Sequence, residues 1–287
     1  MTSNRLIQAP LVSVLMPARN AADYIGDAIR SVLEQSLTDF ELLIFDDGSS
    51  DDTTAIAREF EAIDRRVRCF RRPHRGRVAT LNELIGCARA PFLARANADD
   101  VSLPDRLTEQ VRFLRRSPWC AAVGAALVLI DGSGTELGVA SPPLEHESID
   151  GAALGGRSAL HHPASTFRAD AIFDAGGYRR YAHPAEDLDL SLRLGETRKL
   201  ANLPDPFIAT RQHGASVAAK AGDELIAAAR KLCIDMAADR RGLDRIEPTF
   251  SQHAAVDPTA MRAASSSSSE PHLRSRRSRP ATHRIAG

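Results

Sequence analysis

The chain has 287 residues, 43% of them apolar, which suffices for one large α/β domain or two small ones. Basic and acidic residues number 37 each, so the zero net charge gives no electrostatic reason to expect nucleic acid or a membrane surface as partner. Cys69, Cys87, Cys120 and Cys233 form no CxxC pair; buried free thiols are expected rather than a zinc or redox site. The N-terminus lacks a secretory signal pattern. The longest apolar run, residues 120–130, falls short of the roughly 20 residues that span a bilayer. The expectation is a cytoplasmic protein with no integral membrane segment.

Apolar runs alternate with helical periods through the first half. Residues 11–16 (LVSVLM) predict a buried strand, and Ala22, Ile25, Ala28, Ile29, Val32 and Leu33 a helix. Residues 40–45 predict a second strand. Thr53 is expected to cap a helix whose apolar face is Ile56, Phe60 and Ile63. A weak third strand at 67–70 precedes a helix marked by Val78, Leu81, Leu84, Ile85 and Ala88. A fourth strand, 91–96, precedes a helix carrying Leu107, Val111 and Leu114. Residues 120–130 predict a strand, Asp131–Gly134 a turn into another, Asp187 to Leu194 a helix, and 222–240 an amphipathic helix. From Glu247 onward the pattern is lost. A serine run (265–269) and five arginines after Glu270 predict a disordered tail, with docking on an anionic surface as the minority reading.

This alternation predicts right-handed βαβ units and a parallel sheet, whose ligands sit at the carboxyl ends of the strands. Three polar clusters fall at those ends: Pro17–Asn20, Asp46–Ser50 and Asn97–Asp100. Asp99 and Asp100 are hard oxygen ligands of the kind that suit Mg²⁺ or Mn²⁺ with substrate phosphates. Taken alone, the pair is better explained as capping of the following turn. The residues DDGSSDDTT (46–54) have the same two readings, turn chemistry or nucleotide contact. Glu186 and Asp187 stand at the start of a helix, as caps or as a general base. No GxGxxG opens a helix, which disfavours a dehydrogenase-type dinucleotide site.

Taken in order, VSVLMPARN, DFELLIFDDGSSDDT, the segment from Gly76 to Leu114, HHPASTFRADAIFDAGGYRRYAHPAEDLDLSLRL and LPDPFIATRQHGASV resemble the family 2 glycosyltransferases, from Val12 to Ser216. The resemblance implies a GT-A fold: α/β, Rossmann-like, with a central, mainly parallel sheet flanked by helices. It implies an inverting, metal-dependent transfer from a nucleotide-sugar donor, preferably a UDP-sugar, to a hydroxyl of a glycan, lipid-linked or other acceptor. Pro17, Arg19, Asn20, Asp46 or Asp47, Arg77 and Asp99 would bind the nucleotide sugar. Asp99, Asp100 and His213 would hold Mn²⁺ or Mg²⁺. Asp187 would be the base, supported by Glu186. Residues 1–220 would form the transferase domain, 221–247 a helical extension and 248–287 the tail. Peripheral contact at the inner face of the membrane fits a lipid-linked acceptor.

Two positions depart from the family pattern. Pro17-Ala18-Arg19-Asn20 lacks the usual aromatic residue, and Arg19 there could meet a phosphate. Asn97 replaces the first carboxylate of the usual DADD, and a loop-orienting role would let asparagine suffice. His161, His162, His146, His183 and Trp119 are expected to be structural. The alternatives are a GT-A-fold protein that binds nucleotide or glycan without turnover, and, behind it, a nucleotidyltransferase.

Overall fold

Strand β1 (Val12–Ala18) is almost wholly interior because nothing in it except Ser13 is polar. The computed structural model describes residues 9–212 and 222–244. His213 and the Ser- and Arg-rich tail therefore lie outside the described residues. Strands β2 (Phe40–Asp46), β3 (Val67–Arg71) and β4 (Phe92–Arg95) join β1 in the order β3-β2-β1-β4, all parallel. Helices α1 (Ile25–Leu33), α2 (Thr53–Ile63) and α3 (Arg77–Cys87) connect them.

Alternate strand residues face opposite sides of a sheet. Val12, Val14, Met16, Leu42 and Ile44 accordingly pack in one core with Ile25, Ile29 and Ala57. Leu15, Leu43 and Leu93 pack in another, with Leu81, Leu84 and Ile85 of α3. Burial of both faces explains why these strands read as continuous apolar runs.

The second half extends the sheet past β4. Its elements are β5 (Val101–Ser102), α4 (Arg106–Arg116), β6 (Cys120–Ile130), β7 (Glu136–Ala140), α5 (His146–Leu154), β8 (Thr166–Arg168), α6 (Ala169–Asp174), α7 (Glu186–Thr197), β9 (Lys199–Arg211) and α8 (Asp223–Arg241). The order is β3-β2-β1-β4-β8-β6-β9-β5, with β7 paired to β6. β6 and β9 are parallel to each other; β8, β5 and β7 pair antiparallel. The parallel reading therefore describes β1–β4 and the β6–β9 pair, and antiparallel strands stitch the two together.

Helix α7 carries leucines at every second position, a spacing that looks like a strand. In a helix, residues two apart point about 200° from each other. Leu190 and Leu194 face the sheet-side core, whereas Leu188 and Leu192 meet Ala229, Cys233 and Ala237 of α8. α7 is thus buried on both sides, each leucine contributing about 1.5–3 kcal/mol. The turn and strand predicted after residue 130 are present, with Asp131 Oδ1 accepting from the Ser133 and Thr135 N–H groups.

Two local expectations change. Thr53 is the first helical residue and does not cap α2. Its hydroxyl accepts from the Ala21 N–H at 2.8 Å and donates to Asp51 at 2.6 Å, tying two loops together. Ile63 is 80% exposed, because α2 meets the core through Thr53 and Ala57, with Ile56 and Phe60 half-buried. Trp119 is half exposed, edge-on to Phe113. Among the described residues, no helix is long and apolar enough to cross a membrane. The four cysteines are free, three of them buried.

Candidate functional site

The carboxyl ends of β1, β2 and β4 open on one cleft of about 730 Å³. Pro17, Arg19, Asn20, Asp47, Arg77, Asn97, Asp99, Asp100, Glu186 and Asp187 all line it. Ten positions from five separate stretches of sequence therefore meet at one place.

The β1 and β2 ends are fastened to each other first. Asn20 adopts a left-handed φ of 50°, which asparagine tolerates better than most residues. That turn lets its N–H donate to Ser49 Oγ and its Oδ1 accept from the Ser50 N–H, both at 2.9 Å. Asp46 is fully buried and accepts from the Ser49 N–H (2.9 Å), the Ser49 hydroxyl (2.5 Å) and the Thr54 hydroxyl. It therefore shapes the loop from behind the cleft wall. Asp47 does line the cleft, but it accepts from His74 Nδ1 (2.7 Å) and the Arg75 and Gly76 N–H groups (2.9 Å each), with Arg72 at 3.2 Å. Gly48 between Asp47 and Ser49 has φ 77°, and a Cβ there would lie 2.8 Å from the His74 nitrogen. The close approach that this glycine permits brings His74 to the rim, where its Nε2 lies 3.0 Å from Arg19 Nη1.

The β4 end carries the acidic pair. Asp100 is buried; its Oδ1 accepts from the Arg211 N–H at 3.0 Å and its Oδ2 from the Asn97 amide at 2.9 Å. Burial and the neighbouring Asp99 push its carboxyl up to about 6, against those two hydrogen bonds. Asn97 Oδ1 accepts from Arg95 Nη2 at 2.8 Å. Both ends of Asn97 are thus spent inside the protein. Arg211 also donates from Nε to the Asp99 carbonyl at 3.1 Å and stacks over the Tyr24 ring. Behind this loop lie two buried arginines. Burial pulls Arg95 down to about 10 and Arg106 to about 9, so both remain charged at neutral pH. Arg106 reaches the Arg95 carbonyl at 2.5 Å and Ser102 at 3.1 Å.

The opposite wall is the start of α7. Glu186 is buried between Arg77 Nε (3.1 Å) and His183 Nδ1 (3.0 Å). Asp187 Oδ1 is turned inward, 3.2 Å from His162 Nδ1, while its side chain stays 27% exposed toward the cleft. Burial alone would raise the Asp187 carboxyl. His162, then Arg77 and Arg95, outweigh it and hold the group below the usual carboxylate range. Burial opposes the charge on Arg77, yet Asp187 and Glu186 raise its guanidinium above its ordinary value.

The donor set suits a hard divalent cation. Asp99 and Asp100 are adjacent carboxylates whose mutual repulsion already raises one of them, and a cation relieves that repulsion. Among the described residues, no group of three or more His, Cys, Asp or Glu converges as a ready-made metal cage. Mg²⁺ and Mn²⁺ commonly complete their shell with water and phosphate oxygens.

Several lining residues were not among the candidates. Tyr24, His74, His183, Arg211, Ile226 and Arg230 all reach the cleft, the last two from α8. An arginine inside the otherwise apolar run Phe92–Ala96 was the one available sign of the buried cations. His162, read as structural, lies against Asp187.

A family model described as "Glycosyl transferase family 2" matches residues 13–173. A relative named "Uncharacterized glycosyltransferase" from Haemophilus influenzae is 29% identical over 215 residues, 71% of this chain and 66% of that protein. The chain thus spans just under two thirds of that relative. Among solved structures, S. aureus TarS 1-349 in complex with UDP-GlcNAc matches with a TM-score of 0.60 at 16% identity, over 80% of this chain and 72% of TarS 1-349. The mannosyltransferase PcManGT from Pyrobaculum calidifontis, in complex with GDP-Man and Mn²⁺, matches with a TM-score of 0.56 at 16% identity, over 81% of this chain and 74% of its own. At these identities the structures establish the shared GT-A fold.

Proposed function

The chain belongs to glycosyl transferase family 2, and from that premise we propose that it transfers a sugar from a nucleoside-diphosphate donor to an acceptor hydroxyl with inversion. A UDP-sugar is the preferred donor, and a glycan or lipid-linked alcohol the acceptor class. The observation that carries the reading is the cleft itself: an acidic pair at a strand's carboxyl end faces an ionised, half-buried aspartate at a helix start. The bound ligands of the two similar structures, UDP-GlcNAc in one and GDP-Man with Mn²⁺ in the other, are of the same chemical class.

In this reading Pro17, Arg19, Asn20 and Asp99 border the nucleotide, and Asp47 holds the wall they stand on. Arg77 faces the diphosphate while pinned by Glu186. Asp99 and Asp100 hold Mn²⁺ or Mg²⁺, with His213 as a further ligand from outside the described residues. The metal, when bound, neutralises charge developing on the departing diphosphate.

The acceptor hydroxyl gives its proton to the cleft-facing oxygen of Asp187. Its oxygen attacks the anomeric carbon from the face opposite the diphosphate as that proton leaves, and one displacement inverts the configuration. A carboxylate held below its ordinary range is a weak base. Proton transfer is therefore late, completed as the oxygen bonds to carbon.

The test is a panel of nucleotide sugars with Mn²⁺, read first as thermal stabilisation and then as release of nucleoside diphosphate with an acceptor mixture. Binding without turnover would favour the non-catalytic reading, and release of pyrophosphate a nucleotidyltransferase. Stabilisation follows because a ligand that binds only the native state raises its apparent stability.

A further inference from the structure

We propose that His162 is a positioning residue for Asp187, a fixed imidazole that turns one carboxylate oxygen inward and leaves the other as the acceptor-facing base. The proposal deepens the transferase reading and rests on Asp187 being its base.

His162 is fully buried and begins the short 3₁₀ turn His162–Ala164. Its Nε2 lies 2.9 Å from Ser191 Oγ on α7. Its Nδ1 lies 3.0 Å from the Tyr178 hydroxyl and 3.2 Å from Asp187 Oδ1. Phe167 and Tyr178 pack against the ring edge-to-face, with centroids 5.0 and 5.8 Å away. Tyr178 is itself anchored, its N–H donating to Asn82 Oδ1 at 2.9 Å and its carbonyl accepting from Asn82 Nδ2 at 2.8 Å. The imidazole therefore has contacts on both nitrogens and both flanks, and no room to turn.

The chemistry of the pair restricts a hydrogen bond between them to one polarity. An ionised carboxylate only accepts hydrogen bonds, so a hydrogen between Asp187 and His162 must sit on Nδ1. In the neutral ring Nε2 is then an acceptor, and the Ser191 hydroxyl is placed to donate to it. Ser191 lies on the same helix as Asp187, one turn further on. The histidine thus ties the reactive end of α7 to the body of that helix. In a serine-protease triad a carboxylate orients a histidine base; here the histidine orients the carboxylate base.

Bulk packing would explain an aromatic ring at this position. It does not explain an imidazole whose two nitrogens each meet a polar partner, one of them a carboxylate that lines the cleft. Besides His162, the charged and titratable groups facing Asp187 are Arg77, Arg95, Tyr178, Glu186 and His161.

The test uses the full chain with Mn²⁺ and compares H162Q, H162A, S191A and D187N. Glutamine keeps a neutral N–H donor near Asp187; alanine removes it. The measurements are the melting temperature, the UDP dissociation constant by calorimetry, and kcat and KM against pH with the best donor of the panel. We expect H162Q to keep UDP affinity and donor KM within about twofold while kcat falls about 10- to 100-fold, the scale set by misplacing a reacting group. The acid limb of kcat should move to higher pH, since a flexible amide favours the charged form of Asp187 less than the fixed imidazole does. H162A should lose more than H162Q. Should H162A fail to fold, H162Q and S191A carry the test, with S191A showing a smaller loss of the same kind. Wild-type kcat and an unmoved acid limb in H162Q, beside an inactive D187N, would overturn the positioning role alone. So would equal losses of kcat and UDP affinity with a lowered melting temperature. Full turnover in D187N would instead remove the base assignment and the positioning role with it.

Discussion

Asn97 Nδ2 donates to Asp100 Oδ2 at 2.9 Å, so the residue that stands where a carboxylate would be usual holds the acidic loop by an amide. Its Oδ1 meanwhile accepts from the buried Arg95. An aspartate at 97 would keep the second contact and turn the first into two opposed carboxylates. We therefore expect Asn97→Asp not to tighten Mn²⁺-dependent UDP binding, because neither end of the side chain serves the cleft. Calorimetry decides. A tightening of tenfold, about 1.4 kcal/mol, would mark position 97 as a lost ligand position.

Asp99→Ala probes the proposed metal site. Asp100→Ala would also strip partners from the Arg211 N–H and the Asn97 amide, at about 1–3 kcal/mol of stability for buried groups left unsatisfied. We expect Asp99→Ala to weaken Mn²⁺-dependent UDP binding at least about tenfold, with the gap to wild type closing when the metal is chelated. Wild-type affinity with Mn²⁺ would remove Asp99 from the site.

For Asp187, shape and basicity can be separated. Asp187→Asn keeps the former and loses the latter. The expected outcome is an unchanged melting temperature, an unchanged UDP affinity, and turnover lowered at least about a hundredfold, the scale of general-base catalysis. Near-normal turnover would pass the role to another group, with Glu186 next to be tested. Its carboxylate is already held by Arg77 and His183, which makes it the weaker candidate.

A fourth prediction concerns stability far from the cleft. Glu41 is buried on β2 opposite Ser13, whose hydroxyl donates to it at 2.7 Å, and Arg89 Nη2 lies 2.7 Å from its other oxygen. Burial raises the carboxyl, but Arg89 and Ser13 prevail and its folded value lies below the ordinary 4.5. Its stabilisation is therefore full above about pH 4.5 and is lost as pH falls through the lower folded value. Urea unfolding should show Glu41→Gln about 1–3 kcal/mol less stable than wild type at pH 7. The gap should narrow as the pH falls below 4.5. A gap constant down to pH 3 would contradict this account.

The strand ends and their polar clusters were legible because β1–β4 are buried on both faces and read as uninterrupted apolar runs. Which of two adjacent aspartates faces the cleft was not legible, since Asp46 and Asp47 differ only in what folds back onto them. Ser49 and Thr54 claim one; the β3–α3 loop, 25 residues further on, claims the other. Two of the antiparallel strands hid for a different reason. β5 and β8 are two and three residues long, too short for any period to register. His162 was visible as a residue but not as a neighbour of Asp187, because a turn before β8 and the start of α7 meet only through packing. Ile226 and Arg230 reach the cleft for the same reason, carried there by the docking of α8 on the leucines of α7.

The clamp that Arg211 places on Asp99 and Asp100 spans 112 residues of chain. A polypeptide is made from its N-terminus at about 5–20 residues per second, so the acidic loop exists for about 6–22 s before its last restraint can arrive. Until then Asp100 lacks one of its two hydrogen-bond donors, and the loop has no strand β9 to lean on. A ribosome-bound chain that already contains both aspartates therefore lacks a finished form of the site proposed for the donor. Chains ending at residue 205 and at residue 244, compared for Mn²⁺-dependent UDP binding, would time the moment at which the site comes into being.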